Sequence, residues 1–466
     1  MFPTAIVKDI DSVLSVSTNN VSSSSDISKC PEVLRPESVI SRTVPGACAK
    51  DFCSDTGLRP WAFLVGASII EGFMWGFMTS FGVFQRYYEN HTAFQDESNI
   101  QVIGTLATGI SYFGTPLVAW LTINHPHHRG KMMLGGWIIC ILALLASSFA
   151  TNIWHLIITQ GLLYGIGFLV IYYPVLSMLN EWFVLKRGRA YGILFGSASV
   201  YGLGIPFLTQ WLLDQYGYST TLRVFAVGML VIVGPIVPLL RPRLPVELKQ
   251  AQQSFYIHPR DTQALWNVIF SSFSFSNILQ GLAFFLPGIY IPAYARDLGL
   301  SDSQGTLALS LMNLCQVFGQ IILGRASDTY DAHILMSVST FSSAIVTLLL
   351  WGLGKRIQTL LVFAMLYGAF AGGYSVLYSR FTTSLSNDER TILWLYSIFE
   401  FQRGVGNISS GLLARVLVGN ATDLSAYGIA KYERLVLFIG ICMLLGSIGG
   451  ANQLFRFMFT SIFTRK

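Results

Sequence analysis

Long apolar stretches alternate with short polar connections along most of the chain, from Trp61 onward. A helix of about 20 apolar residues crosses the hydrocarbon core of a membrane, so each stretch of this length predicts one transmembrane span. We expect spans at residues 61–84, 100–123, 132–150, 154–178, 190–213, 222–240, 264–291, 304–324, 333–353, 359–379, 391–418 and 434–457. The pattern therefore predicts an all-α membrane protein with twelve transmembrane helices.

The second half of the pattern resembles the first. The tripeptide Leu163-Tyr164-Gly165 in the fourth span recurs as Leu366-Tyr367-Gly368 in the tenth span, 203 residues later. Six spans followed by six similar ones predict two pseudo-symmetric six-helix bundles, as in many secondary transporters. The expected organisation is a disordered cytoplasmic tail at 1–57, bundles at 58–240 and 264–458, a cytoplasmic connection at 241–263 and a cytoplasmic tail at 459–466.

Basic residues mark one side of the predicted membrane. They follow spans 2 and 4, fill the central connection and end the chain: Arg129, Lys131, Lys186, Arg187, Arg189, Arg241, Arg243, Lys249, Arg260, Arg456, Arg465 and Lys466. Lys and Arg favour the cytoplasmic side, so we expect both termini to be cytoplasmic, with Lys355-Arg356 as the exception. Glycosylation sequons at Asn90 and Asn420 fall in the predicted outward loops. A glycoprotein of the plasma membrane is predicted, with the vacuolar membrane as the alternative.

Composition narrows the classes of function. Hydrophobic residues make up 52% of the chain and charged residues 12%, about half the charged fraction of soluble proteins. The net charge of +6 is explained by the membrane rather than by a nucleic-acid partner. His125, His127 and His128 have no Cys, Asp or Glu beside them, which favours a solvated turn over a metal site. We expect no enzyme, no metal and no cofactor.

A loop motif follows span 8. Gly324-Arg325-Ala326-Ser327-Asp328 resembles the G-x-x-x-D core of the loop motif of the major facilitator superfamily. A small residue allows two helices to approach closely, and the carboxylate can pair with a base or cap a helix. The corresponding segment 124–131 keeps the basic end and lacks the Asp. The resemblance implies that Gly324, Arg325 and Asp328 act in conformational change.

Spans 4 and 5 carry a more specific resemblance. Four motifs stand in one order: Tyr164-Gly165-Ile166-Gly167, then Tyr173-Pro174, then Glu181-Trp182-Phe183-Val184-Leu185-Lys186-Arg187-Gly188-Arg189-Ala190-Tyr191-Gly192, then Gly196-Ser197-Ala198-Ser199-Val200-Tyr201-Gly202. This order resembles the monocarboxylate transporter family, and its fungal members most. The resemblance implies the major facilitator fold, and it places Lys186 and Arg187 in the conformational motif.

The chain departs from that family where the substrate binds. The resemblance places Thr79 at the position of a span-1 Lys, Gln316 at that of an Asp and Gln320 at that of an Arg. The lactate-binding charges are absent, so lactate specificity does not carry over. Asn313, Gln316 and Gln320 lie at helical spacing and predict an amide-lined binding face.

Charged residues inside the predicted spans are the other candidates. Glu71 lies in span 1, and Glu400 and Arg403 lie near the middle of span 11. An ionisable residue at this depth is a functional candidate, and Glu71 and Glu400 are predicted to couple transport to protons. Arg403 either binds substrate or pairs with Glu400, three residues away. Among the aromatic residues of the helices that line the cavity in the family, Tyr173 and Tyr374 are further substrate-binding candidates, with packing as the alternative.

The sequence thus predicts a secondary active transporter that moves a small organic solute across a lipid bilayer by alternating access. A monocarboxylate or related organic acid is one expected solute, with protons as the coupling ion. A neutral polar metabolite and a non-transporting nutrient sensor on the same scaffold are the alternatives.

Overall fold

The computed structural model describes residue 55 and residues 57–91, 100–243, 268–386, 388–419 and 427–463. From Asp55 onward the chain forms one compact unit. Its regular elements are helices, and each predicted span corresponds to one helix or to a short series of helices. Most of the predicted tail at 1–57, most of the predicted connection at 241–263 and the sequon residue Asn420 lie outside the described residues.

The first six spans occupy residues 58–239. They are Leu58–Thr79 and Phe81–Asn90 (span 1), Ile100–Phe113 and Thr115–Asn124 (span 2), Arg129–Ser147 (span 3), Ile153–Leu156, Ile157–Leu163 and Tyr164–Trp182 (span 4), and Arg187–Gly228, Met229–Val233 and Val237–Leu239 (spans 5 and 6). The short turn Pro126–His128 joins spans 2 and 3.

The last six spans occupy residues 268–463. They are Val268–Phe284 and Leu286–Asp297 (span 7), Asp302–Ala326 (span 8), Ala332–Val346 and Thr347–Trp351 (span 9), Ile357–Ala371, Tyr374–Leu377 and Tyr378–Leu385 (span 10), Glu389–Leu417 (span 11) and Glu433–Phe463 (span 12). The turn Ala430–Tyr432 precedes span 12.

Hydropathy, backbone breaks and helix length together account for the span count. Within the described ranges, nine helical stretches are long and apolar enough to cross a membrane, or ten if the span-2 pair, bent by 43°, is one span. The longest stretch, Arg187–Leu239, breaks at Gly217, whose φ of 74° falls in the left-handed region that glycine tolerates. Spans 5 and 6 therefore separate at this residue. The 29-residue helix Glu389–Leu417, which carries Glu400 and Arg403, completes the twelve.

Several helix ends differ from the hydropathy prediction. Span 1 continues to Asn90, the residue of the first sequon, and span 10 continues to Leu385. Span 12 continues to Phe463, beyond the predicted boundary at 458. These ends are polar or mixed in composition, so the apolar signal fades before the helix stops.

The buried core joins the two halves. One cluster contains most of the buried apolar residues of the first bundle. It also includes four aromatic residues of the second bundle: Phe273, Tyr374, Tyr378 and Phe399. A second cluster lies entirely within the second bundle. The two bundles therefore share a packed interface, and the candidate site lies along it.

We call the end of the molecule formed by the turns after spans 2, 4, 8 and 10 the basic end. Here Arg129 and Glu181 form an ion pair at 2.5 Å, with the Glu181 side chain fully buried. Asp55 accepts hydrogen bonds from the backbone N–H groups of Val184, Leu185 and Lys186 at 2.9–3.2 Å. The chain is thus fixed to the turn between spans 4 and 5 from Asp55 onward, within the segment predicted as a tail.

Candidate functional site

Glycines bring spans 5 and 8 into close contact across the bundle interface. A Cβ atom on Gly192 would lie 2.6 Å from the carbonyl oxygen of Gln320, and one on Gly188 would lie 2.5 Å from that of Gly324. Both distances are too short for a real side chain. Small residues at such crossings allow two membrane helices to pack backbone against backbone. Gly324, predicted from the loop motif, lies at this crossing.

Asp328 closes the same crossing at the basic end. The backbone N–H groups of Gly188 and Arg189, at the start of span 5, donate to its carboxylate at 2.9 and 3.1 Å. An anionic group is favoured there by the helix dipole. Arg380 of span 10 pairs with Asp328 at 2.7 Å and also donates to the carbonyl of Leu185. One carboxylate therefore ties the second bundle to the first.

The other predicted members of this motif have different surroundings. Lys186 donates its backbone N–H to Asp55 at 2.9 Å, and its ammonium reaches the Asp55 carbonyl at 3.5 Å. Arg187 is buried and donates to the carbonyls of Phe183 and Asn180 at 3.1 and 3.0 Å. Arg325 is exposed. Lys186 and Arg187 thus stabilise the turn between spans 4 and 5 within the first bundle.

Span 11 makes the second crossing, against spans 2 and 4. Thr115 donates its hydroxyl to the carbonyl of Ser397 at 2.9 Å, and the hydroxyls of Tyr172 and Tyr396 lie 3.4 Å apart. Further from the basic end, Gly404 allows the backbone of span 11 to approach span 2; a Cβ there would lie 2.3 Å from the Cβ of Tyr112. These contacts extend from the middle of the interface toward the basic end.

Two carboxyl groups face the interface from opposite bundles. Glu71 of span 1 is 4% exposed and Glu400 of span 11 is 7% exposed, and the two interact electrostatically. Within the described residues, Oε1 of Glu71 has no hydrogen-bond partner. Trp75 lies one turn after Glu71 and beside its carboxyl group. The two predicted proton-coupling residues are therefore buried on opposite bundles, within range of each other's charge.

Arg403 lies one turn beyond Glu400 and is 6% exposed. Its guanidinium is 4.7 Å from the ring centre of Phe284 and 5.6 Å from that of Phe285, both on span 7. Arg403 and Glu400, both among the described residues, do not form an ion pair within 4.0 Å. The alternative of a tight pair between these two residues is not what the structure shows.

The predicted tyrosines lie on either side of this group. Tyr173 of span 4 is fully buried and interacts electrostatically with Glu400. The hydroxyl of Tyr374 lies 3.2 Å from the hydroxyl of Ser276, and its ring stacks on Phe273 at 6.2 Å. Tyr374 therefore connects spans 7 and 10 within the second bundle.

The predicted amide face is divided between different contacts. The Ser199 hydroxyl of span 5 donates to the side-chain oxygen of Gln320 at 3.0 Å. Gln316 packs against Gly372 of span 10. A Cβ atom added to Gly372 would lie 2.3 Å from the Cγ atom of Gln316. Asn313 is half-buried one turn earlier. Gln320 and Gln316 thus serve contacts between helices, whereas Arg403 and the two carboxyl groups lie together.

Several residues that stabilise the basic end and the bundle interface were not singled out from the sequence. Arg380, Asp55 and Glu181 bind partners more than 50 positions away, and no short spacing signals such pairs. Tyr112 fills the contact with Gly404, and its ring lies 6.2 Å from that of Trp75. The one feature of the sequence that could have indicated this contact is an aromatic residue, Tyr112, beside the break in span 2.

Comparisons with known proteins agree with this architecture. The family model described as Major Facilitator Superfamily matches residues 60–288 and 273–460. Among curated proteins, the chain is 27% identical over 405 residues to the MFS-type transporter pynF of Aspergillus niger, covering 85% of this chain and 88% of the relative. It is 24% identical to the agnestins efflux protein AgnL12 of Paecilomyces divaricatus, covering 83% and 85%. It is 26% identical to the aspyridones efflux protein apdF of Emericella nidulans, covering 74% and 69%.

Solved structures show the same fold at low sequence identity. The human organic anion transporter MFSD10 superposes with a TM-score of 0.65 at 12% identity, covering 84% of this chain and 100% of that one. The nucleoside transporter NupG superposes with a TM-score of 0.55 at 14% identity, covering 85% and 99%.

Proposed function

We propose a function from the premise that this chain belongs to the Major Facilitator Superfamily, whose model matches it from residue 60 to residue 460. It is a multi-pass integral membrane transporter of a small-molecule solute. Within that class, we propose a proton-coupled secondary transporter that exports a small organic acid by alternating access. The monocarboxylate transporter-like assignment stays a prediction.

One observation carries this proposal. Two carboxyl groups and one guanidinium, Glu71, Glu400 and Arg403, are buried at the interface between the bundles, at mid-length of their helices. Charges at membrane depth are costly and are retained where they bind substrates or ions. A cation suits an organic anion, and carboxyl groups suit protons. A site between two bundles is also where alternating access exposes a solute to each side in turn.

The direction of transport is supported by the relatives. Two of them are efflux proteins by name, for agnestins and for aspyridones. The orientation rests on the positive-inside rule, which makes the basic end cytoplasmic. With this orientation, the two bundles are in contact from the middle of their interface to the cytoplasmic end. The conformation would then be closed toward the cytoplasm.

Transport by the purified protein in proteoliposomes tests the proposal. We expect uptake of radiolabelled organic acids to depend on a pH gradient across the vesicle membrane. Glu71→Gln should abolish that dependence, because an amide cannot exchange a proton at this position. Glu89→Gln is the matched control, since Glu89 is an exposed carboxylate near the end of span 1. Unchanged pH dependence in Glu71→Gln would remove Glu71 from the mechanism, and absence of transport in the wild type would remove the proposed function.

A further inference from the structure

Arg403 differs in its partners from Arg129 and Arg187, two other buried arginines of the described residues. Arg129 pairs with Glu181 at 2.5 Å, and Arg187 donates to two backbone carbonyls. The Nε atom of Arg403, like that of Arg129, has no hydrogen-bond partner, but in contrast to Arg129 no carboxylate of the described residues lies within 4.0 Å of its guanidinium. Glu400 interacts with Arg403 only from beyond that distance. A buried guanidinium with no carboxylate in direct contact is costly, which suggests that an anion completes this site.

Aromatic rings enclose the guanidinium. Phe284 and Phe285 lie 4.7 and 5.6 Å from it and provide cation–π contacts. These contacts satisfy a face of the planar group and leave donors at its edge. Gly281 allows span 7 to come close, since a Cβ there would lie 2.9 Å from the Arg403 carbonyl oxygen. The cation is thus positioned by packing and by the Tyr378 hydroxyl, and its Nε donor has no partner among the described residues.

The first bundle presents further rings to the same region. Tyr112 contacts Gly404, the neighbour of Arg403, and its ring lies 6.2 Å from that of Trp75. Trp75 in turn meets Phe168 edge to face at 5.3 Å. Such rings favour stacked or edge-on contacts with another aromatic group, worth roughly 0.5–1.5 kcal/mol per pair. We call the rings of Tyr112, Trp75 and Phe168 the aromatic wall. A ligand bound at Arg403 would therefore extend toward this wall.

We propose that Arg403 binds the acidic group of a planar aromatic monoanion, whose ring system packs toward Trp75 and Tyr112. A guanidinium matches a carboxylate or a similar planar anion through two parallel hydrogen bonds. Two nearby carboxyl groups, Glu71 and Glu400, disfavour a second negative charge on the ligand. This inference rests on the proposed function, because it names the class of solute for the same site.

Ligand binding to the purified full-length protein tests the inference. The probes are benzoate, 2-naphthoate and anthracene-2-carboxylate, compared with uncharged 2-naphthamide and non-aromatic cyclohexanecarboxylate. A ligand that binds the folded state raises the melting temperature with concentration. We expect the aromatic anions to stabilise the wild type and both comparison compounds to bind at least about tenfold more weakly.

Substitutions locate the binding. Arg403→Gln should weaken 2-naphthoate binding by about tenfold or more, and Arg403→Lys should bind it with intermediate affinity because the charge remains without the planar fork. Arg223→Gln is the matched control. The Arg223 guanidinium also lies over an aromatic ring, 4.7 Å from that of Phe149, but Arg223 is exposed and lies at the end of the molecule opposite the basic end. Unliganded melting temperatures and gel filtration establish that each variant is folded.

The outcomes separate this inference from the proposed function. If none of the aromatic anions binds the wild type, or if Arg403→Gln binds 2-naphthoate as the wild type does, the inference is overturned. If 2-naphthoate binds through Arg403 and proteoliposomes transport no organic acid, the binding site stands and the proposed function fails. If transport occurs and is the same in Arg403→Gln, the function stands and the assignment of Arg403 fails.

Discussion

Replacing Asp328 with alanine should make the bundles separate more often at the basic end. The substitution removes the two hydrogen bonds that cap span 5 and the ion pair with Arg380. Loss of a helix cap costs roughly 0.5–2 kcal/mol, and a partly exposed ion pair adds at most about 1 kcal/mol. The Arg380 and Asp328 side chains are 19% and 8% exposed, so we expect about 2 kcal/mol in all. Because these bonds join the two bundles, this energy changes the ratio of open to closed molecules roughly 30-fold.

Asp388 supplies the matched control. It caps the start of span 11 by accepting the N–H of Thr391 at 3.1 Å, within its own helix. Separation of the bundles leaves this bond intact. Asp388→Ala should therefore lower the melting temperature without changing the proportion of open molecules.

Distances between spin labels measure that proportion. Cysteines at His128 and Tyr330, which are both exposed turn residues at the basic end of different bundles, carry the labels in a chain whose six natural cysteines are replaced. Double electron–electron resonance should show a larger long-distance population in Asp328→Ala than in the wild type or Asp388→Ala. Identical distance distributions in all three proteins would refute the conclusion that Asp328 holds the bundles together.

Three further substitutions test the packing at this interface and at the basic end of the first bundle. Gly192→Val should also increase the open population, because its Cβ atom would lie 2.6 Å from a carbonyl oxygen of span 8. Gly130→Val should leave that population unchanged, since a Cβ atom on Gly130 has nothing within 4 Å. Equal distances between the labels in both variants would contradict the close crossing. Arg129→Gln should lower the free energy of unfolding by roughly 1.5–3 kcal/mol because it removes the charged partner 2.5 Å from the buried Glu181 carboxylate, which keeps its bond from the backbone N–H of Arg243. The double variant with Glu181→Leu should recover part of that stability in a denaturant titration. Asp55→Ala should speed amide hydrogen exchange in the turn after span 4, and an unchanged exchange rate would exclude Asp55 as its cap.

The positions of the spans could be predicted because lipid imposes one simple rule. A backbone without water must satisfy its hydrogen bonds within a helix, so each long apolar run becomes a span. Spans 6, 7 and 9 occupy helices at the expected places. The break between spans 5 and 6 also follows from local chemistry, since Gly217 adopts a φ of 74° that other residues avoid.

The contacts between bundles could not be predicted in the same way. They depend on which residues meet when two six-helix units pack, and the partners are far apart in sequence. The helical spacing of Gln320 predicts a binding face, whereas its side chain accepts a hydrogen bond from Ser199 and so forms a contact between spans 5 and 8. Asp328 was recognised from a motif, but its partners on span 5 lie 139 and 140 positions away. Glu71 and Glu400 were each recognisable as buried charges, and only the fold brings them within range of each other's charge.

The size of the solute should decide whether it drives the conformational change. A ligand shifts an equilibrium only if it binds the two states with different affinity. Arg403 belongs to the second bundle, whereas Trp75 and Tyr112 belong to the first. A solute that touches both sides changes its contacts when the bundles rotate, and one that touches Arg403 alone keeps them. We therefore expect acetate to compete with 2-naphthoate for binding without altering the distances between labels at His128 and Tyr330, while saturating 2-naphthoate alters them. If acetate at saturation shifts those distances as far as 2-naphthoate does, the anionic group alone drives the transition, and the aromatic wall has no part in it.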